Sequence, residues 1–297
     1  MTKSMLDSVQ TADSLVYYDR AITQLRTFFK ERNFIEVATQ QRLSILAACE
    51  DPFTIAPFDY VNQRWPLPQT GQMWLECDLL KNPHFEGLFC ITTSYRAEPN
   101  PIPGRHQLIF PMVDFETHGD VTVLQALEKD LLEYMGFGHQ DLFSAGPYET
   151  VAQQYGIKDI DHACEEKIGQ KYGPVFFLTH FPEYTHPFWN MKRVNQKAQK
   201  IDVLLYGMET IGSAERSTDK NQMRELFYTI KDGKYVQKLY EHFGKQRVDQ
   251  ELEEFLSFDF FPRCGGGIGI TRMIRALRLL DDAQYQPARY YEEQKTV

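Results

Sequence analysis

The sequence predicts an α+β fold in which helices come first and last and antiparallel strands fill the middle. Three observations lead there. An early segment carries apolar residues at helical spacing; the centre is rich in β-branched and aromatic runs; the end returns to helical character behind a glycine cluster. The 297 residues can bury a sizeable core and contain no internal repeat. They read as one domain over 1–297, with residues 1–15 as an arm.

Taken in order, Ser14 to Asn33 places Leu15, Ile22, Leu25, Phe28 and Phe29 near helical spacing, and the short strand IEVAT follows. LFCITTSY (88–95) and FPMVDFE (110–116) read as an antiparallel pair joined by a long loop. VLQALEKDLLEYMG reads as a helix ending at Gly136. PVFFLTHF and KIDVLLYGMETIG read as two more strands, and KRVNQKAQK (192–200) as a solvated loop or hairpin. After Thr218 the chain is helical in character, and GGGIGITRMIRALRLL reads as a glycine-rich turn running into a helix.

Composition narrows the function. Hydrophobic residues make up 42% and charged residues 25%, ordinary for a soluble globular protein. No window approaches the run of roughly 18 apolar residues that crosses a bilayer, and MTKSMLDSVQ lacks the apolar core of a signal peptide, so a cytoplasmic protein without a membrane partner is expected. Five scattered cysteines without CxxC spacing argue against a disulfide framework and structural zinc. Proteins that hold nucleic acid mainly through phosphates usually carry a basic surface, and at a net charge of −9 nothing here demands a nucleic-acid partner.

Three constellations carry chemistry. In RAEPNPIPGRH, Arg96 and Glu98 share strand parity, Arg105 and His106 close the loop, and Phe110 opens the returning strand. An arginine fork suits phosphate, an aromatic face suits a purine, and a carboxylate accepts from an exocyclic amine. A surface pair and a core phenylalanine are the plainer alternatives. In GGGIGITR, glycines such as Gly267 and Gly269 admit a ligand close to the backbone, and Arg272 lies about a turn into the helix. The run is neither a P-loop nor a good dinucleotide fingerprint. In DVLLYGMETIGSAER, Glu209 on a strand bearing Asp202 suits magnesium, with a β-hairpin of polar face as the alternative.

These blocks, in this order, resemble the catalytic core of a class II aminoacyl-tRNA synthetase of the aspartyl/asparaginyl branch. YRAE with RHQLIFPMVDFE is similar to the second signature motif and GGGIGITRM to the third; TGQMWLE, FFLTHFPEYTHPFWNM and IDVLLYGMETIGSAER resemble further blocks of that branch. The resemblance covers residues 15–280 and implies a class II synthetase-like antiparallel β-sheet flanked by helices. It implies ATP and Mg2+ as cofactors and an amino acid as substrate. Arg96 would hold the α-phosphate and the reacting carboxylate, Glu98 the adenine amine, and Phe110 and Arg272 the two faces of the ring. Arg105 and His106 would reach the outer phosphates, and Glu209 would carry magnesium. Gln72 and Asp114 would hold the α-amino end; Arg216 would read the side-chain oxygen and Glu76 an amide.

Three departures qualify the likeness. Only residues 1–15 precede the core, where synthetases of this branch carry an anticodon-binding barrel, so a tRNA would not be chosen through an anticodon domain. Gln40 stands where the first motif has a proline at its dimer interface; a homodimer is still expected. Ile109 replaces the glutamate before Phe110. Cys264 reads as a small packed residue, and His180 and His186 as pocket wall or hydrogen-bonded structure. The leading expectation is activation of an acidic amino acid, aspartate first, as an acyl-adenylate passed to ammonia to give asparagine, as in asparagine synthetase A-type and archaeal asparagine synthetase-related proteins. Another acceptor (tRNA, protein, carrier or small molecule) and an inactive regulatory relative are the alternatives.

Overall fold

The computed structural model describes residues 10–48, 50–102 and 107–285. Arg105 and His106 lie outside the described residues, as does most of the arm expected over 1–15. Helix α1 spans Ala12–Glu31, capped by the Thr11 hydroxyl accepting from Ser14 N. It buries Ala21, Ile22, Leu25, Phe28 and Phe29, whereas Leu15, expected on that face, is exposed because it lies near the helix start.

Strand β1 (Phe34–Glu36) follows, then the hairpin β2 (Pro57–Tyr60) and β3 (Gln63–Pro66), α2 (Gln72–Lys81), β4 (Gly87–Tyr95), β5 (Ile109–His118) and α3 (Val121–Tyr134). The chain continues through β6 (Ser144–Pro147), α4 (Tyr148–Gln154), α5 (His162–Tyr172), β7 (Val175–Pro182), β8 (Arg193–Val194), β9 (Lys197–Leu205) and β10 (Met208–Glu215). Helices α6 (Lys220–Thr229), α7 (Lys234–Phe243) and α8 (Lys245–Leu256) precede β11 (Arg263–Gly269) and α9 (Ile270–Tyr285).

The main sheet runs β1-β4-β5-β11-β10-β9-β7-β6, with β8 beside β9. Its centre is antiparallel, as expected, but the flanking β1–β4 and β6–β7 pairs are parallel. The stretch 200–212 forms two strands: Tyr206 and Gly207 both take positive φ (49° and 71°), the backbone that a two-residue hairpin turn requires. The basic stretch 192–200 is likewise a hairpin, turning at Asn195 and Gln196.

Period-two alternation sorts the two faces. Phe89, Val113, Phe115, Ile201, Val203, Ile211 and Ile268 point to one side and pack under α1, α3 and α9. The opposite face meets α2 at one end, with α6–α8 packed beyond it, and α4 and α5 at the other. A gap between those two helical groups leaves the middle of this face open.

Candidate active site

That gap is a cavity of about 360 Å³. Its floor reads from strand parity. On β5, Met112 and Asp114 line it while Val113 and Phe115 enter the core; the facing β11 contributes Gly267 and Gly269. The GGGIG run, expected as a turn, is therefore the interior of a central strand. Crowding explains the glycines. A Cβ on Gly265 would lie 2.1 Å from Glu116 Oε2 and 2.2 Å from the Phe115 carbonyl, and one on Gly266 would lie 2.5 Å from Ser213 Cβ. At Gly267 it would project to within 3.0 Å of Asp114 Oδ1, into the site.

Arg96 and Glu98 line this cavity, although both lie just beyond Tyr95 and so outside the strand whose parity suggested their common side. A backbone bond from Arg96 N to the Leu108 carbonyl (2.8 Å) extends the pairing past the strand end. Phe110 joins them, its ring centroid 6.0 Å from the Arg96 guanidinium. Arg272, third residue of α9, lines the same cavity and donates to the Glu209 carbonyl at 2.7 Å. Glu50 is the partner sequence reasoning missed: its Oε2 lies 2.6 Å from Arg96 Nη2.

Glu209 and Gly212 are three apart and would face opposite sides of a regular strand. A register shift between Glu209 and Ile211 lets both line the cavity. The Glu209 carboxylate, 3.8 Å from Arg272, fits a cation carried in with phosphates. Asp202, on β9 and not on the strand of Glu209, fits less well. Its Oδ2 is bonded to the Lys200 ammonium at 2.6 Å, and it lines a neighbouring cavity of about 330 Å³ that shares Glu50, Phe188, Met191 and Glu209 with the first. Among the described residues no cluster of three or more metal-ligating side chains occurs.

The other end of the main cavity is built by α2. Gln72 and Glu76, four apart, share a helix face and line the cavity. Thr70 Oγ1 and Gly71 N donate to Asp114 at 2.7 and 2.9 Å, so this carboxylate also fixes the turn that aims α2. Burial pushes the Asp114 carboxyl up to about 6. Gln72 Nε2 donates to the Phe115 carbonyl (3.1 Å) and to Glu116 Oε2. Arg216 is buried with Glu116 Oε2 at 3.3 Å and Glu76 Oε1 at 3.6 Å. Burial lifts Glu116 to about 7, with the Arg216 charge opposing that rise.

Glu76 is not a bare carboxylate facing the ligand. Arg263 donates to its Oε2 from Nε (3.1 Å) and Nη2 (2.8 Å), and Asn190 donates to Oε1 at 2.7 Å. Glu76 is thus engaged by this second arginine and by Asn190, and Arg216 keeps its place on the cavity wall. Glu116 and Arg263 were also missed. The only signal was their place among apolar strand residues, where a charge needs a partner.

Among the other singled-out residues, Cys264 is fully buried with its thiol pushed well up by burial, as suits a packed residue. His180 bonds Thr179 Oγ1 and His186 lines the second cavity. Gln40 Nε2 donates to the Ile91 carbonyl at 2.6 Å. Among the described residues no helix is long and apolar enough to cross a membrane.

Comparison with known proteins agrees with the geometry. The family described as tRNA synthetases class II (D, K and N) matches residues 4–284. An aspartate–tRNA(Asp/Asn) ligase of Methanopyrus kandleri is 24% identical over 285 residues, covering 86% of this chain and 62% of its own length. An aspartate–tRNA(Asp) ligase of Pyrobaculum aerophilum is 28% identical over 131 residues, 43% of this chain and 27% of its own. In fold, the asparaginyl-tRNA synthetase of Pyrococcus horikoshii complexed with asparaginyl-adenylate superposes with a TM-score of 0.70 at 19% identity, covering 91% of this chain and 66% of its own. The chain thus spans less than two thirds of the first relative's length.

Proposed function

The chain belongs to the class II tRNA synthetases of the D, K and N group, and from that premise we propose that it activates aspartate with ATP and passes the aspartyl group to the acceptor end of a tRNA. The observation that carries this reading is that Arg96 and Arg272, from β4's end and α9's start, line one cavity with Phe110 and Glu98. In the reaction a carboxylate oxygen of the amino acid bonds to the α-phosphorus as the bond to the β-phosphate breaks and pyrophosphate leaves. The carboxylate is already ionised, so no general base is needed and the protein's work is positioning and charge neutralisation.

On this reading Arg96 bridges the α-phosphate and the attacking carboxylate, Phe110 and Arg272 sandwich the adenine, and Glu98 accepts from its amine. Gly267 and Gly269 keep the floor open. Gln72 and Asp114 take the α-amino end, and Arg216 takes the side-chain carboxylate, with Glu76 held off by Arg263. Magnesium, when bound with the nucleotide, supplies further neutralisation of the phosphates, and Glu209 would hold it. The hydroxyl of the acceptor then attacks the carbonyl carbon and AMP leaves.

A tRNA acceptor is supported by the names of the curated relatives, which are tRNA ligases. The ammonia acceptor expected from the sequence has no observation of its own in the site. Pyrophosphate exchange into ATP, run across the twenty amino acids, tests the first step: exchange with aspartate is expected, and silence with all of them rejects it. Labelled aspartate offered with tRNA or with ammonium then separates aspartyl-tRNA from free asparagine.

A further inference from the structure

Strand β9 turns Lys200, Asp202 and Leu204 toward the cavities and Ile201 and Val203 into the core. The Lys200 ammonium sits 2.6 Å from Asp202 Oδ2 and 4.0 Å from the centre of the Phe181 ring. Asp202 Oδ1 is buried with no hydrogen-bond partner among the described residues. It lies 3.6 Å from the point a Gly212 Cβ would occupy, and Glu209 Oε1 lies 3.2 Å from the same point.

Two carboxylate oxygens converging over a bare glycine have the makings of a divalent seat, since magnesium is often held by one or two carboxylates with phosphates completing its shell. Here a fixed ammonium already neutralises one of the two. A divalent ion between them would face that ammonium at close range in a partly buried setting, where like charges are poorly screened.

We infer that Lys200 is a built-in cation that takes the place of a metal ion at Asp202, leaving Glu209 as the carboxylate of this pair that meets magnesium. This rests on the ATP-dependent reading only for what the nucleotide brings; the replacement belongs to the ligand-free chain. Manganese titration without nucleotide, with free Mn2+ read by electron paramagnetic resonance, tests it. Lys200→Met is expected to bind one Mn2+ at least about tenfold more tightly than the parent chain, the scale on which a metal site answers to its surrounding charges. Adding Asp202→Asn to that variant is expected to abolish the gain, and Lys200→Arg to match the parent. Parent binding that Asp202→Asn abolishes overturns the inference, as does a folded Lys200→Met that gains nothing. Should Lys200→Met fail to fold, Asp202→Asn alone decides, since the inference requires it to leave parent Mn2+ binding unchanged. Neither nucleotide nor amino acid is present, so a failed pyrophosphate exchange is a separate result.

Discussion

Arg263 and Glu76 lie 187 positions apart in sequence and meet with both side chains withdrawn from solvent, Nη2 to Oε2 at 2.8 Å. This pair engages Glu76, so that Arg216 is the cation at the α2 end of the cavity. Arg263→Met should strand a buried carboxylate and cost about 3–5 kcal/mol, whereas Arg263→Met with Glu76→Met should recover much of it. Denaturant unfolding of the two variants checks this; equal losses would show that packing, not pairing, is what Arg263 supplies.

Arg96→Ala should lower pyrophosphate exchange about 100-fold or more, the scale of one preorganised contact to developing charge. Phe110→Ala should instead weaken ATP binding by about 1–3 kcal/mol, as loss of an aromatic stacking platform does. Calorimetric titration with ATP separates the two: an unchanged affinity in Phe110→Ala would mean that the ring only packs.

On the proposed reading, Glu116 makes aspartate binding depend on pH. Its carboxyl, raised to about 7 by burial, is neutral below that pH and charged above it, where it cancels Arg216. An anionic side chain entering beside Arg216 favours the protonated form. The KM for aspartate should therefore rise as pH climbs through 7, by at most about tenfold per unit for one linked proton, while that for asparagine stays nearly flat. Exchange kinetics between pH 6 and 8.5 check this, and parallel curves for both amino acids would remove Glu116 from the account.

Glu128 on α3 is a fully buried carboxyl with the Ser213 hydroxyl as its polar neighbour, and burial, which outweighs that neighbour, lifts it from 4.5 to about 8. Folding thus favours its neutral form, so its contribution is most favourable below 4.5 and is lost as pH rises toward 8. Glu128→Met should raise stability by about 1–3 kcal/mol at pH 8 and by less at pH 5. Thermal melts at the two pH values provide the measurement; an equal gain at both would assign the effect to packing.

Local grammar explains what was legible. Arg96, Glu98, Phe110 and Arg272 stand in short blocks of unusual composition, and the described ones converge as those blocks implied. The glycine run was misread because glycine usually marks turns, and only the Phe115 carbonyl, Ser213 and Met112 reveal why a strand interior has to be bare there. Asp202 and Glu209 were placed on one strand because Tyr206-Gly207 lacks the usual asparagine- or aspartate-glycine signature. Glu50, Glu116 and Arg263 carry no local sign of their partners, and those pairings appear only when distant strands and helices are brought together.

The glycines of β11 that line the cavity have a consequence for how this chain can change. At Gly267 and Gly269 there is no side chain to vary, so drift toward another ligand, natural or engineered, does not begin there. Diversification has to proceed through the rim, at positions 72, 76 and 216, each already tied to a neighbour whose replacement must accompany it. Altered selectivity in descendants of this protein should arrive as coordinated exchanges across α2, β5 and the residue after β10, not as single steps.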